Sequence, residues 1–353
     1  MEGLLMNQIL VCSPSGALTD ASALDRGIAA LQQAGFEVSE TPQTRLRVHR
    51  FAGNDEERLA ALDTAFHHPG PATIMASRGG YGLSRLLGQM PLQRWCEAMV
   101  AQGLTLCGHS DVTALQLALL NASRNLQAKH TTADPLLARL GLAQTSGDSA
   151  ALSSLRLLHG PMVCFDFGDE AGVSPTTYRH FEEAVFEGRV EVPWTSGFHQ
   201  GRAGSVRLEG PAWGGNLVML TSLLGTPHWP NMEGGILILE DVNEPVYKIE
   251  RMLMQLLHAG VLQQQKAIIL GQFSEPKPHE HDGGYALNDA IACVHEKLSL
   301  GNKPAPAILS NFPFGHVRPK ACFYQGVNAV LSIEHDVDDN LNHSLRCVLT
   351  QTL

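Results

Sequence analysis

The chain has no C-x-x-C pair, no cationic stripe and no long apolar run, and each absence removes a class of protein. Its seven cysteines (Cys12, Cys96, Cys107, Cys164, Cys293, Cys322 and Cys347) are scattered and odd in number. That pattern suits neither a disulfide framework nor a zinc site, and it fits reduced thiols in a cytosolic, cytoplasmic protein. With 25 Lys and Arg against 35 Asp and Glu, the formal charge is −10, and nothing here could neutralise a row of phosphates. Nucleic acid is therefore not an expected partner. No apolar stretch reaches 18 residues and the first eight residues lack a basic n-region, so neither a membrane span nor a signal peptide is expected. Internal repeats and low-complexity tracts are also missing.

What is present is an ordinary globular composition, 44% hydrophobic and 17% charged, over 353 residues. That length accommodates two domains. From residue 7 to about 135, apolar runs alternate with amphipathic helical patterns. Ile9–Cys12 runs into Ser13-Pro-Ser-Gly16, and residues 20–35 form a helix that Gly35 stops. Ala72–Ala76 leads to Ser77-Arg-Gly-Gly-Tyr-Gly82 and a helix through Leu83, Leu86 and Leu87, and Leu104–Cys107 leads to Ser110. Such alternation predicts a mostly parallel sheet with flanking helices, whose ligands gather at the carboxyl ends of the strands. Residues 145–205 break the rhythm with glycines, prolines and a charged run. A second strand–helix series follows: Gly234–Asp241, Glu244–Gly260, Ala267–Leu270, Ala286–Leu298 and Pro306–Ser310. The expected fold is α/β in two domains. Residues 1–165 form the N-terminal domain, 166–205 an inter-domain connection, and 206–353 a C-terminal mixed β/α domain.

The segment Thr105-Leu-Cys-Gly-His-Ser110-Asp-Val carries the most chemistry. A short strand ends in glycine and turns at once into a helix, the layout that holds a nucleophilic serine on a tight elbow. The new helix aims unpaired N–H groups at the serine, where charge develops on an attacked carbonyl oxygen. The same pattern also describes a serine that only caps the helix.

A serine needs a base and a carboxylate to orient it. His109 adjoins Ser110 but points elsewhere on a tight turn. His316 follows a strand and a Phe-Pro-Phe-Gly turn, as either a base facing a cleft or a surface residue. Glu240 and Asp241 close an aliphatic strand, as catalytic acids or as charges at the N-terminus of the helix 244–260. The loop Arg78–Gly82 lacks the Gly-x-Gly-x-x-Gly spacing and the Gly-Lys-Ser/Thr ending of nucleotide sites. Its glycines can instead offer an N–H to an oxyanion. His279-Glu-His-Asp282 resembles a metal cluster yet reads as a surface loop, so no metal is expected. Trp213-Gly-Gly-Asn216 opens a helix over 217–224, with both glycines read as close packing of helix on sheet.

Together these segments resemble the LD-carboxypeptidase family of serine peptidases, the muramoyltetrapeptide carboxypeptidases. The resemblance runs through Ser13-Pro-Ser-Gly16, Arg78-Gly-Gly-Tyr-Gly82, Gly108-His-Ser-Asp111, Trp213-Gly-Gly-Asn-Leu217, Leu239-Glu-Asp241, Tyr247-Lys-Ile-Glu-Arg251, Gly271-Gln-Phe273 and Phe314-Gly-His316. It implies a Ser110–His316–Glu240 triad and an oxyanion hole from the backbone of Gly80 and Asp111. Arg78 and Tyr81 are candidates to bind substrate. The implied reaction releases terminal D-alanine from murein tetrapeptide through an acyl-enzyme, with no cofactor, in a cytoplasmic homodimer that needs neither membrane nor nucleic acid. His130-Thr-Thr-Ala-Asp134 departs from the family's His-Gly-Pro.

Two rivals stand beside this. Microcin C self-immunity peptidases share the fold and triad but cleave aminoacyl-adenylate analogues. They would need an aromatic wall from Trp194, Trp213 or Trp229. A non-enzymatic two-domain binding protein would leave Ser110 unreactive.

Overall fold

The computed structural model describes residues 7–131, 155–197, 199–200, 205–276, 280–301, 304–335 and 345–353. The chain divides into two compact units. The first runs to Leu158 and adds Met162–Gly172 and Thr226–Pro230. The second holds His159–Pro161, Val173–Gly225 and Asn231–Leu353.

In the first unit, β1 (Gln8–Cys12) leads to α1 (Ala21–Gln33), β2 (Glu37–Glu40), α2 (Asp55–Phe66) and β3 (Thr73–Ala76). These are followed by α3 (Leu92–Gln102), β4 (Thr105–Gly108), α4 (Val112–Thr131) and β5 (Arg156–His159). The strands stand in the order β5-β4-β3-β1-β2. The pairs β1/β2, β1/β3 and β3/β4 are parallel, with Cys12 opposite Ala76 and Met75 opposite Cys107. β1, β3 and β4 are therefore apolar and buried almost throughout, as strands covered on both faces must be. Because they end level, the loops after Cys12, Ala76 and Gly108 open at one edge of the sheet.

The helix expected through Leu83, Leu86 and Leu87 is instead two 3₁₀ turns, Leu83–Arg85 and Leu87–Gln89. Leu83 and Leu86 lie three apart, the 3₁₀ repeat. Gly82 at φ 148° and Pro91 bracket a stretch too short for an α-helix.

The second unit contains α5 (Pro175–Glu182), β6 (Arg189–Ser196), β7 (His199–Gln200), β8 (Val206–Asn216), α6 (Leu217–Ser222), β9 (Ile236–Val242) and α7 (Val246–His258). β10 (Ala267–Ser274), α8 (Leu287–Ser299), β11 (Ala307–Leu309), β12 (Phe323–Tyr324), β13 (Asn328–His335) and β14 (Leu345–Thr352) complete it. Eight strands pair in the order β6-β14-β13-β8-β9-β10-β11-β7. β6, β14, β13 and β8 pair antiparallel, β8 to β11 parallel, and β7 antiparallel to β11. The fold is mixed α/β with two sheets.

Within residues 166–205, read from sequence as an inter-domain connection with some strand in it, the described residues include α5, β6 and β7. β6 pairs along its length with β14, and Val190, Val192, Trp194 and Ser196 are buried while their neighbours are exposed. The charged residues hid this period-two pattern because they occupy the solvent face. The Trp213–Asn216 glycines also differ from the expected helix–sheet packing. They lie within β8, and a Cβ on Gly214, whose φ is +125°, would meet the Ile238 carbonyl oxygen of β9 at 2.1 Å.

No helix among the described residues is long and apolar enough to cross a membrane.

Candidate active site

Ser110 sits between β4 and α4 with φ 63°, a left-handed conformation unusual for a residue with a Cβ. Such a conformation costs about 1–3 kcal/mol and persists only where its surroundings over-determine it. Here they do. Gly108 at φ 158° makes the turn out of the strand, Thr113 N donates to the Ser110 carbonyl, and Val112 N donates to that of His109. Ser110 remains half-buried, whereas His109 is fully buried with its ring edge toward Phe165.

The glycine loop after β3 presses against this serine. A Cβ on Gly79 would lie 2.7 Å from Ser110 Cβ and 2.8 Å from its Oγ, so only glycine leaves the hydroxyl its space. The close approach belongs to Gly79. Gly80, which the sequence marked for the backbone donor, has φ 115°, and a Cβ there would face Gly16 Cα at 3.4 Å.

Asp111 holds these pieces together. Its Oδ2 accepts the Ser15 hydroxyl at 2.6 Å and the Leu83 N–H at 3.0 Å. The side chain thus ties the elbow to the loops after β1 and β3. Burial raises its carboxyl above the ordinary range, opposed by those hydrogen bonds.

Arg78 is half-buried and donates through Nη1 to the Ala17 carbonyl at 2.9 Å. Tyr81 is exposed, its ring 6.0 Å from that of Phe51.

In the second unit, Nδ1 of His316 lies 2.8 Å from Oε2 of Glu240, whose side chain is 0% exposed against 15% for the histidine. An ionised carboxylate can only accept, so Nδ1 carries the proton and donates it, making Nε2 the basic nitrogen of the neutral ring. Glu240 is the fifth residue of β9, at the carboxyl end of a strand otherwise aliphatic to that point. Its Oε1 is buried without a hydrogen-bond partner among the described residues. Gly315, at φ 130°, makes the room. A Cβ there would meet Glu240 Oε2 at 3.2 Å and the Gln272 carbonyl at 2.9 Å.

The other sequence segments build this pair's scaffold. Gln272 N donates to the Phe314 carbonyl at 2.8 Å, and a Cβ on Gly271 would strike that same oxygen at 2.6 Å. His159, which no sequence signal marked, packs its ring 4.8 Å from Phe314 and 5.0 Å from Phe323. Burial, reinforced by the charge of Lys320, pushes His159 down to about 3 and keeps it neutral.

Asp241 plays a different part from its neighbour. It accepts from Asn216 Nδ2 at 3.1 Å and from the N–H groups of Val218 and Val242 at 2.9 and 2.8 Å. The helix end it serves is that of α6, not the 244–260 helix expected from sequence. The reason is the β8/β9 register, which sets Asn216 opposite Glu240. Burial and the adjacent Glu240 charge push Asp241 up to about 7.

Four of the cysteines are poor nucleophiles. Burial raises the thiols of Cys12, Cys96 and Cys347 to about 12 and Cys164 to about 11, so thiolate is scarce at neutral pH. No group of three or more His, Cys, Asp or Glu among the described residues is placed to hold a metal ion. His279 and residues 132–134 of the His130–Asp134 segment lie outside those residues.

Known proteins resemble this chain in sequence and fold. The sequence matches the LD-carboxypeptidase N-terminal domain over residues 9–130 and the LD-carboxypeptidase C-terminal domain over 209–331. The murein tetrapeptide carboxypeptidase of Pseudomonas aeruginosa is 30% identical over 76% of this chain and 77% of its own length. The crystal structure of a muramoyltetrapeptide carboxypeptidase from Oxalobacter formigenes, also 30% identical, superposes with a TM-score of 0.75 over 98% of this chain and 100% of that one. The microcin C7 self-immunity protein of Escherichia coli is 22% identical over 92% of this chain and 89% of its own. A structure of a microcin C7 self-immunity protein with aspartyl sulfamoyl adenosine, 20% identical and covering 97% and 98% of the two chains, shares the fold at a TM-score of 0.72. With both domains matched in order and a relative of the same two-domain architecture covered end to end, the chain belongs to the LD-carboxypeptidase family.

Proposed function

We propose that this protein is a cytoplasmic serine carboxypeptidase that releases terminal D-alanine from murein tetrapeptide, with Ser110 as nucleophile, His316 as general base and Glu240 as the carboxylate that orients it. The observation that carries the reading is the 2.8 Å contact between His316 Nδ1 and a fully buried Glu240. It commits the imidazole to one tautomer and stabilises the imidazolium that proton transfer would create.

In the first step His316 Nε2 takes the Ser110 proton while Oγ bonds to the carbonyl carbon on the L side of the scissile bond. The oxyanion that forms is held by backbone N–H groups at Asp111 and Gly80. The C–N bond then breaks, and D-alanine leaves with the proton from His316. Water gives a proton to His316 and its oxygen to the acyl carbon, which frees the tripeptide and restores the serine. Arg78 and Tyr81 hold the substrate, with Arg78 directed to its free carboxylate. The family resemblance adds a homodimer and requires no cofactor.

The self-immunity reading is weakened by the tryptophans it would use. Trp213 is fully buried with its Nε1–H on Gln265, and Trp194 packs edge-on to Phe312 with its Nε1–H on the Ser310 carbonyl. Both are core residues, which leaves only Trp229 half-buried.

A serine-directed phosphonate separates the hypotheses. Covalent labelling of the protein, lost in Ser110→Ala, together with D-alanine release from murein tetrapeptide, is the expected result. Hydrolysis of an acyl-sulfamoyl adenosine in its place would favour the self-immunity activity. No labelling would point to a binding protein.

Gly79 supplies a sharper check. Gly79→Ala should cut turnover about 100-fold, the cost of displacing a reacting group by roughly 1 Å. Gly88→Ala, where a Cβ meets open space, should be silent. Equal activity in both variants would mean that the glycine loop does not shape the reacting centre.

A further inference from the structure

Three arginines near the glycine loop have no carboxylate partner among the described residues. Neighbouring arginines of the first unit are paired: Arg45 with Glu40 and Asp25, and both Arg58 and Arg85 with Asp55. Among the described residues no carboxylate lies within ion-pair distance of Arg47, Arg50 or Arg78. This is conspicuous in a chain of net charge −10.

The three are gathered on one short segment. Arg78 donates to the Ala17 carbonyl and Arg47 to the next carbonyl, Leu18. The Arg50 carbonyl accepts from Ala17 N, and the Arg50 guanidinium lies 5.5 Å from the centre of the Tyr81 ring. Gly16 N in turn donates to the Gly79 carbonyl, and it is Gly79 that abuts Ser110. Leu46 and Val48, which flank Arg47 in the chain, and Tyr81 are each about two-fifths exposed. Burial holds Arg78 below the ordinary guanidinium range, and the charges of Arg47 and Arg50 push the same way against an opposite pull from Cys164. Like charges that crowd without an internal counter-ion are stabilised by an anion from outside.

We propose that Arg47 and Arg50 form a second carboxylate subsite beside Arg78, which selects short peptides carrying an internal anionic group in addition to the terminal carboxylate. The proposal rests on the carboxypeptidase reading for its substrate class. A murein tetrapeptide has that chemistry, because its glutamyl and diamino acid residues can each present a free carboxylate. Arg78 serves the terminal carboxylate next to the reacting bond, while Arg47 and Arg50 serve the carboxylate further along the peptide.

The test is equilibrium binding to Ser110→Ala protein, which reads recognition without needing hydrolysis. Two ligands are compared: the tetrapeptide with its internal carboxylates free, and the same peptide with those groups converted to carboxamides. Arg50→Gln should weaken binding of the free-acid peptide about tenfold, the loss of one charge-assisted contact, and leave the carboxamide unchanged. Arg50→Lys should recover part of the loss. Arg50 is the cleaner position because its side chain makes no hydrogen bond among the described residues, and Arg47→Gln should follow the same selectivity. Equal weakening of both ligands, or no weakening of either, would overturn the subsite. If native protein fails to hydrolyse the tetrapeptide while the arginine variants still discriminate between the ligands, the carboxypeptidase reading falls and the anion subsite stands.

Discussion

Ser110→Ala is expected to lower D-alanine release by roughly 10⁶-fold, the scale seen when a hydrolytic triad loses its nucleophile and keeps only binding and oxyanion stabilisation. The fold should survive, because the Ser110 side chain makes no hydrogen bond among the described residues; the turn is set by Gly108 and by backbone bonds from Val112 and Thr113. A second variant separates chemistry from structure. At φ 63° any residue with a Cβ is strained, so Ser110→Gly should lose the same activity yet raise stability by about 1 kcal/mol. Turnover of murein tetrapeptide and the thermal midpoint are the two readouts. If Ser110→Ala kept more than a hundredth of the native rate, the serine would be a helix cap and the elbow a structural turn.

Much of this was legible in the residues, for identifiable reasons. β1, β3, β4 and β9 stand out because strands buried on both faces become unbroken apolar runs, and the turn residues after them mark where ligands gather. The resemblance then chose among readings that residue chemistry left open for His316 and Glu240. What stayed hidden depends on partners distant in sequence. β6 reads as Arg189-Val-Glu-Val-Pro-Trp-Thr-Ser196, and its charged face masks its buried one until β14 is placed beside it. Asp241 has the look of a charge for the following helix, but strand register delivers it to α6. That Gly79 is the glycine pressed against Ser110 rests on ångström-scale contacts that spacing cannot supply. The basic run Arg45-Leu-Arg-Val-His-Arg50 was the available signal for the arginine cluster. It is conspicuous only once the neighbouring arginines are seen to be paired.

Glu240→Gln should retain the fold and lower kcat by about 10⁴, with KM little changed, as when the carboxylate behind a catalytic histidine is neutralised. A glutamine fills the space that Gly315 leaves, and its amide can donate to the ring as readily as accept from it. The imidazole then loses its fixed tautomer and the charge that stabilises its protonated form. A second readout follows from Asp241, which burial and the Glu240 charge push up to about 7. A carboxyl whose pKa is higher folded than unfolded binds its proton more tightly in the native state. It therefore costs stability as pH rises from about 4, its unfolded value, toward 7. Without the Glu240 charge that folded pKa falls, so the variant should lose less stability than the native protein between pH 4.5 and 7. Thermal midpoints across that range check the electrostatic half of the argument and turnover checks the catalytic half. Near-native kcat would move the orienting role to another acid. A wild-type pH slope with lost activity would mean that Glu240 acts on the histidine without loading Asp241.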